Sequence, residues 1–361
     1  MVRRKIGLLA VALLLVLGTV NRLLDFGGIG KDSQTYVTAI TSFFSGENPY
    51  EHTIKSYENK DDVGGHGYAY FPGFLYLFGY LYFIALKVGI NYDVLWKMCV
   101  LLFDLGTAVL IFKHLYKSNY FVAFTGALVW LFNPYLTVEY TNFNHVDPVP
   151  VFFCLLALLY LSKDSVLSAV FFTLSVIFKP FALIFLPLFL LKSKNKRAFI
   201  VACAVVFIAV SLPFLTSIDD ITTYLKGSLF VHSSRVLQGR PFLFYLSYFG
   251  KIELFRIIPL VVYSSMATYF GWVLIIAGWY LLKIRNSFVL ASMSAINFLI
   301  FTPVLNRTYL LWFLPIFIVA SYQIAAGFKK LYLFYSFTVG YWMFCYWYLF
   351  QWKDGFHVWH P

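Results

Sequence analysis

Apolar residues in this chain gather in long unbroken runs. They lie near residues 6–24, 69–89, 95–113, 119–133, 148–161, 166–191, 199–215, 256–282, 287–304, 309–327 and 331–350. Strands would alternate apolar and polar positions, and a soluble surface helix would confine its apolar residues to one stripe. Runs that are apolar on every side predict helices surrounded by lipid or protein. At about 20 residues per span, the expected fold is all-α: a polytopic integral membrane protein of about 10–11 transmembrane helices. Residues 1–361 read as one membrane-embedded domain, with two long polar loops at 25–68 and 217–255. The first loop carries a short amphipathic helix, Val37 to Phe44, closed by Ser45-Gly46-Glu47-Asn48-Pro49-Tyr50.

One region is irregular. Runs 119–133 and 148–161 span about 22 Å as helix, less than a ~30 Å hydrocarbon core. Run 166–191 is interrupted by Lys179-Pro180, and proline breaks the helical hydrogen-bond ladder. Broken helices at membrane depth are tolerated where they line a cavity. Strict alternation puts 134–147 on the cytoplasmic side, and a re-entrant arrangement puts it outside; the pattern allows both.

Composition strengthens the membrane reading. The chain is 61% hydrophobic and only 12% charged, about half the charge of a soluble domain. A soluble enzyme, a disordered chain and a disulfide scaffold are excluded. The net charge of +12 suits basic loops that set topology and meet anionic lipid, and nucleic acid is not an expected partner. Basic clusters at 3–5, 192–197, 283–285 and 329–330 put the N-terminus inside, the C-terminus outside and both long loops on the external face. The N-terminal run lacks a small-residue cleavage site and reads as a retained first span. Cys99, Cys154, Cys203 and Cys345 each stand alone in an apolar run, which supports neither a zinc site nor disulfides.

Most carboxylates lie in the two external loops, but Asp104, Glu139 and Asp147 are in or beside apolar runs, where an ionised group needs a cavity or a partner. Asp32 stands at a helix start just outside the first span, where it either caps the helix or does chemistry. Tyr68-Ala69-Tyr70-Phe71-Pro72 opens the second run and reads most simply as an interfacial aromatic belt. Asn144-His145-Val146-Asp147-Pro148 offers an imidazole and a carboxylate for capping, for a metal or for orienting a hydroxyl, with capping the plainest reading. His232-Ser233-Ser234-Arg235 and Gln238-Gly239-Arg240 bring two arginine forks, suited to phosphate or to solvent, close to the membrane.

Taken in order, these motifs resemble the GT-C superfamily of glycosyltransferases that use polyprenyl-phosphate sugars. The nearest resemblance is to the branch that adds the first mannose to glycosylphosphatidylinositol precursors, with its prokaryotic relatives. The resemblance rests on Asp32, Tyr36, Gly46 to Tyr50 and Tyr68 to Pro72 in the first loop, then Lys97 and Asp104. It continues through Asn133-Pro134, Asn144 to Asp147, Phe178-Lys179-Pro180, the stretch Tyr224 to Tyr248, and Asn306-Arg307-Thr308-Tyr309 with Trp312 and Pro315. The branch's Asp-x-Asp signature is incomplete, because Gly30 occupies its first position and Asp32 its second.

The resemblance implies transfer of a hexose, mannose in that branch, from a polyprenyl-phosphate donor to a hydroxyl of a glycan or lipid acceptor. It implies inversion at the anomeric carbon on the external or lumenal face of a cell or endoplasmic-reticulum membrane. Asp32 is then the general base, and Arg235, Lys179, Arg240 and Arg307 receive the donor phosphate. His145, Asp147, Asn144, Tyr36, Tyr70 and His232 orient sugar or acceptor. A monophosphate donor requires no diphosphate-clamping metal, so no cofactor is expected. Besides donor and acceptor, membrane lipids and a small accessory membrane subunit are the partners to consider. Two other classes fit the same composition: a transporter or flippase for a lipid-linked sugar, and a non-catalytic membrane subunit. Transporter halves commonly repeat, and no repeat is visible here.

Overall fold

The structure, a computed structural model, describes residues 2–23, 33–58, 67–137, 145–231, 262, 265–324 and 327–353, with backbone alone at 2–6, 8 and 350–353. Among these residues every regular element is helical. The principal helices are α1 (Val2–Leu23), α2 (Ser33–Phe44), α3 (Pro49–Glu58), α4 (Gly73–Val88), α5 (Tyr92–Tyr116), α6 (Tyr120–Leu131), α7 (Pro148–Tyr160) and α8 (Ser165–Phe178). There follow α9 (Leu186–Lys192), α10 (Lys196–Ser211), α11 (Ile218–Ser228), α12 (Gly271–Tyr280), α13 (Ser287–Phe301), α14 (Arg307–Gln323) and α15 (Gly327–Lys353).

Short polar links start these helices by capping. Asp164 accepts from the amides of Val166 and Leu167 at 2.9 and 3.0 Å, and Asn119, Asn195, Asn286 and Asn306 cap α6, α10, α13 and α14 in the same way. Two segments, Tyr92–Tyr116 and Lys196–Phe214, are long and apolar enough to cross a membrane by themselves, and eight apolar helices are shorter, at 10–17 residues. The runs therefore fold as more compact elements than the uniform spans expected. Leu102, Phe121, Val201 and Val205 lie at least 60% exposed on the outside of the bundle, an exterior water would not tolerate over so wide an area.

The break at Lys179-Pro180 is real. Lys179 is extended, with φ −159°, and Pro180–Phe185 forms a 3₁₀ turn before α9. The carbonyls of Leu183 and Ile184 in that turn accept from Trp272 Nε1 at 3.1 Å and Ser294 Oγ at 3.0 Å. A π-helical turn, Met266–Phe270, precedes α12, and Asn297 Nδ2 satisfies its Met266 and Ala267 carbonyls. Side chains from neighbouring helices thus replace the backbone bonds that the breaks remove.

The helix connections sort to two ends of the bundle. At one end His114 meets Gln323 at 3.2 Å, Gln323 meets Asn286 at 2.7 Å, Lys192 donates to the Arg285 carbonyl, and Asn195 meets Ser165 at 3.0 Å. Gly7 of α1 lies there against Tyr116 and Tyr120. Lys113, Lys117 and Lys163 therefore belong to the same end as the basic clusters. The opposite end carries residues 67–73, 145–147, 178–180 and the start of α14, and α2, α3 and α11 cover it. Residues 145–147 thus lie at the end opposite the basic loops, and 138–144 lie outside the described residues.

α1 is fastened by a buried ion pair. Arg22 Nε lies 3.0 Å from Asp104 Oδ2, with both side chains essentially inaccessible. Trp130 Nε1 donates to the same carboxylate at 2.8 Å, and Arg22 also donates to the Leu131 carbonyl. Asp104 thus has the partner its apolar surroundings demand. Asp104→Ala leaves Arg22 charged and unpaired, so a loss of about 3–5 kcal/mol is expected, read as a fall in unfolding temperature in detergent; Arg22→Met with Asp104→Leu should recover most of it.

Candidate active site

Four segments far apart in sequence meet around Asp147. Its Oδ1 receives Lys179 Nζ at 2.7 Å and the indole N–H of Trp312. Its Oδ2 faces His145 Nδ1 at 3.4 Å. Lys179 Nζ lies 4.9 Å from the Trp312 ring centre and 5.3 Å from that of Tyr70, so two aromatic faces flank the cation. Asp147 and Lys179 are buried, whereas the His145 side chain keeps 14% of its surface. The imidazole is the most accessible side chain of the three.

Local chemistry explains each placement. Asp147 precedes Pro148, which opens α7, but the carboxylate makes no capping bond. The capping reading fails for Asp147: the lysine and the indole both bond Oδ1, and Oδ2 faces His145 rather than a helix amide. Lys179 projects from the helix break, where the extended backbone turns the side chain away from the α8 axis. Trp312 sits one and a half turns into α14, stacked between Phe181 at 4.9 Å and Tyr309 at 4.0 Å. Arg307 is the first residue of that helix.

The aromatic segment 68–72 is not an interfacial belt. Tyr68 and Phe71 are buried, and Tyr68 donates its hydroxyl to the Phe71 carbonyl at 2.5 Å. Tyr50 donates to the Tyr70 carbonyl and Thr53 to the Tyr68 carbonyl, both at 2.8 Å. A Cβ on Gly67 would lie 2.2 Å from the Thr53 backbone, so only glycine admits α3 this closely. The first loop thereby holds Tyr70 over Lys179. Tyr36 is more remote: it packs on Phe74 at 4.7 Å and Trp96 at 5.2 Å, connected to Tyr70 through Phe74 and Tyr68.

The structure brings together Tyr70, His145, Asp147 and Lys179, and sets Arg307 at the start of the helix that supplies Trp312. Asp32, Asn144, His232, Arg235 and Arg240 lie outside the described residues. Asp32 immediately precedes Ser33, whose hydroxyl donates to Asp93 Oδ1 at 2.7 Å. Sequence reasoning did not place Trp312 in the site, since a tryptophan in an apolar run carries no mark of a polar contact. Among the described residues, no three His, Cys, Asp or Glu side chains gather in a way that holds a metal ion.

Comparison with known proteins adds the decisive observation. The profile of glycosyltransferase family 87 matches residues 68–306, which includes Tyr70, His145, Asp147 and Lys179. The chain belongs to glycosyltransferase family 87. No curated protein matches it. Family 87 membership makes the chain a glycosyltransferase and, with its apolar helices, a membrane protein. The match ends one residue before Arg307 and begins after Asp32, so those two residues stand on their own chemistry.

Proposed function

We propose that this family 87 enzyme is a multi-pass protein that moves a hexose, with mannose the first candidate, from a polyprenyl-phosphate donor to an acceptor hydroxyl on the non-cytoplasmic face. The observation that carries the reading is the Asp147–Lys179–His145 cluster, at the end of the bundle opposite the basic loops. Lysine and arginine concentrate on the cytoplasmic side of membrane proteins, so the cluster opens outward. A donor with an isoprenoid tail stays in the bilayer and offers its sugar phosphate at that surface.

In an inverting displacement the acceptor oxygen bonds to the anomeric carbon as the bond to the phosphate oxygen breaks. Asp32 takes the hydroxyl proton, and the lipid phosphate leaves with the bonding pair. Negative charge grows on the leaving phosphate, so fixed cations stabilise the transition state more than the ground state. Lys179 has three donors and gives one to Asp147; the others serve the phosphate together with Arg235, Arg240 and Arg307. His145 at the cluster's edge, with Tyr70, Asn144 and His232, orients sugar or acceptor. Asp147 and Tyr36 act through their neighbours, Asp147 by aiming Lys179 and Tyr36 by backing the Phe74–Tyr68 layer.

Transfer by purified protein in liposomes, with radiolabelled polyprenyl-phosphate mannose and a membrane lipid extract, tests the reading. Label is expected in a new lipid or glycan product. Transfer from glucose or arabinose donors alone would replace the sugar, and none from any of the three, with folded protein, would remove the donor class. Arg235→Lys keeps charge but loses the fork; kcat is expected to fall more than KM rises, and unchanged transfer would remove the bidentate phosphate contact.

A further inference from the structure

We propose that α4 does not cross the membrane, and that the α4–α5 hairpin is a finger on the active-site face whose apolar tip beds in the head-group layer of that leaflet. Residues 69–89 read as an ordinary second span, but the contacts of α5 are incompatible with that role. Arg22, near the end of α1, meets Asp104, and Gly7, near its start, meets Tyr116. Residues 104–116 therefore run antiparallel to α1 and end among the basic loops, where His114 meets Gln323. The residues before Asp104 continue the other way for another three turns, about 17 Å, past the end of α1.

α4 packs on that extension. Phe74 and Phe78 lie 5.1 and 4.7 Å from Trp96, Tyr82 lies 5.2 Å from Tyr92, and Tyr92 donates to the Phe78 carbonyl at 3.2 Å. The start of α4 is held at the active-site end, since a Cβ on Gly73 would touch Ile177 two residues before Lys179. Its other end joins α5 through Gly89, which takes the left-handed φ of +73° needed for so tight a turn. A single helix cannot have both ends on one face and still cross. Gly73 and the 89–91 turn both lie on the face away from the basic loops, so α4 stays there.

The finger's surface names its neighbour. Tyr80, Leu86 and Val88 are 61–62% exposed, Phe83, Ile84 and Ile90 at least 40%, and Lys87 is the exposed cation among them, while the tip's carboxylate, Asp93, accepts from Ser33. Aromatic and aliphatic side chains around one lysine are the composition of a segment lying in the lipid interface, where rings sit at head-group level and the amine reaches phosphate. Through Tyr36, which packs on Phe74 and Trp96, the finger also fixes α2, the helix that directly follows Asp32. Bedding the tip in lipid would hold this layer at the level of a lipid-borne substrate. This consequence rests on the proposed donor, whereas the topology does not.

The test uses the full chain with its four native cysteines changed to serine and one cysteine returned at a time. In sealed vesicles of one orientation, a membrane-impermeant maleimide is expected to label Ile90→Cys from the same side as Asp219→Cys, on α11, and from the side opposite Lys194→Cys. Labelling of Ile90→Cys together with Lys194→Cys would overturn the proposal, because α4 would then be a span. For the lipid contact, Leu86→Cys carries an environment-sensitive fluorophore in phosphatidylcholine–phosphatidylglycerol liposomes. Quenching by lipid spin-labelled near the head group, exceeding that by lipid labelled at the chain end, is the expected result. Quenching by aqueous iodide alone, or by neither agent, would give the tip to water or to a protein partner and overturn the lipid contact. Neither readout requires transfer, so loss of the proposed donor would leave both intact.

Discussion

Lys179→Met is expected to abolish detectable sugar transfer, a fall of about 10²–10³-fold or more for losing a cation aimed at developing phosphate charge. The single variant also removes the permanent cation beside buried Asp147, leaving Trp312 and His145 alone to support the charge, which by itself threatens folding. The informative comparison is therefore Lys179→Met combined with Asp147→Asn. Asparagine keeps a carbonyl to accept from Trp312 while removing the buried charge. This double variant is expected to fold like the parent, judged by unfolding temperature and size-exclusion profile, and to remain inactive. Recovery of transfer along with stability would reduce the pair to a clamp between the 145–147 segment and the break after α8.

Asp32→Asn is the second large effect, with a fall of about 10²–10⁴-fold expected for loss of a general base. The two readings of Asp32 separate on this variant, because asparagine caps a helix about as well as aspartate does. If capping is the whole role, Asp32→Asn transfers sugar normally and Asp32→Ala costs about 1 kcal/mol of stability. If Asp32 removes the acceptor proton, both variants fold and neither transfers. Full activity of a folded Asp32→Asn would move the base elsewhere in the first loop.

The helical class was legible from the runs alone, since apolarity on all sides admits few other structures at such length. Direction was not. Strict alternation treats every run as a crossing, and α4 has the composition of one; only contacts such as Arg22–Asp104 and Gly7–Tyr116 reveal which way α5 travels. Lys113, Lys117 and Lys163 carried a signal that isolated residues give weakly, and it becomes clear once they share an end with the other basic loops. In the site, Lys179 and Asp147 were visible as charges that an apolar run has to explain. Trp312 was visible only as part of the late motif, and its contact with Asp147 was hidden because it depends on an N–H no pattern exposes. Segment 68–72 misled for a related reason: a belt and a buried aromatic layer have the same residues, and the hydroxyl partners decide between them.

The Arg22 ion pair also bears on how the chain is made. As α1 leaves the ribosome it carries an arginine in its last turn, where the insertion cost is smaller than the roughly 2.5–3.5 kcal/mol of a charge at a helix centre but persists until a partner arrives. That partner, Asp104, emerges some eighty residues later, and the Trp130 and Leu131 groups that complete the pocket later still. Until then the arginine can reach toward the surface from a helix not yet held at its final depth. The helix is thus locked only after residue 131 has been made, so nascent chains from which residue 104 has not emerged should leave α1 cross-linkable to the insertion machinery, and chains from which residue 131 has emerged should release it.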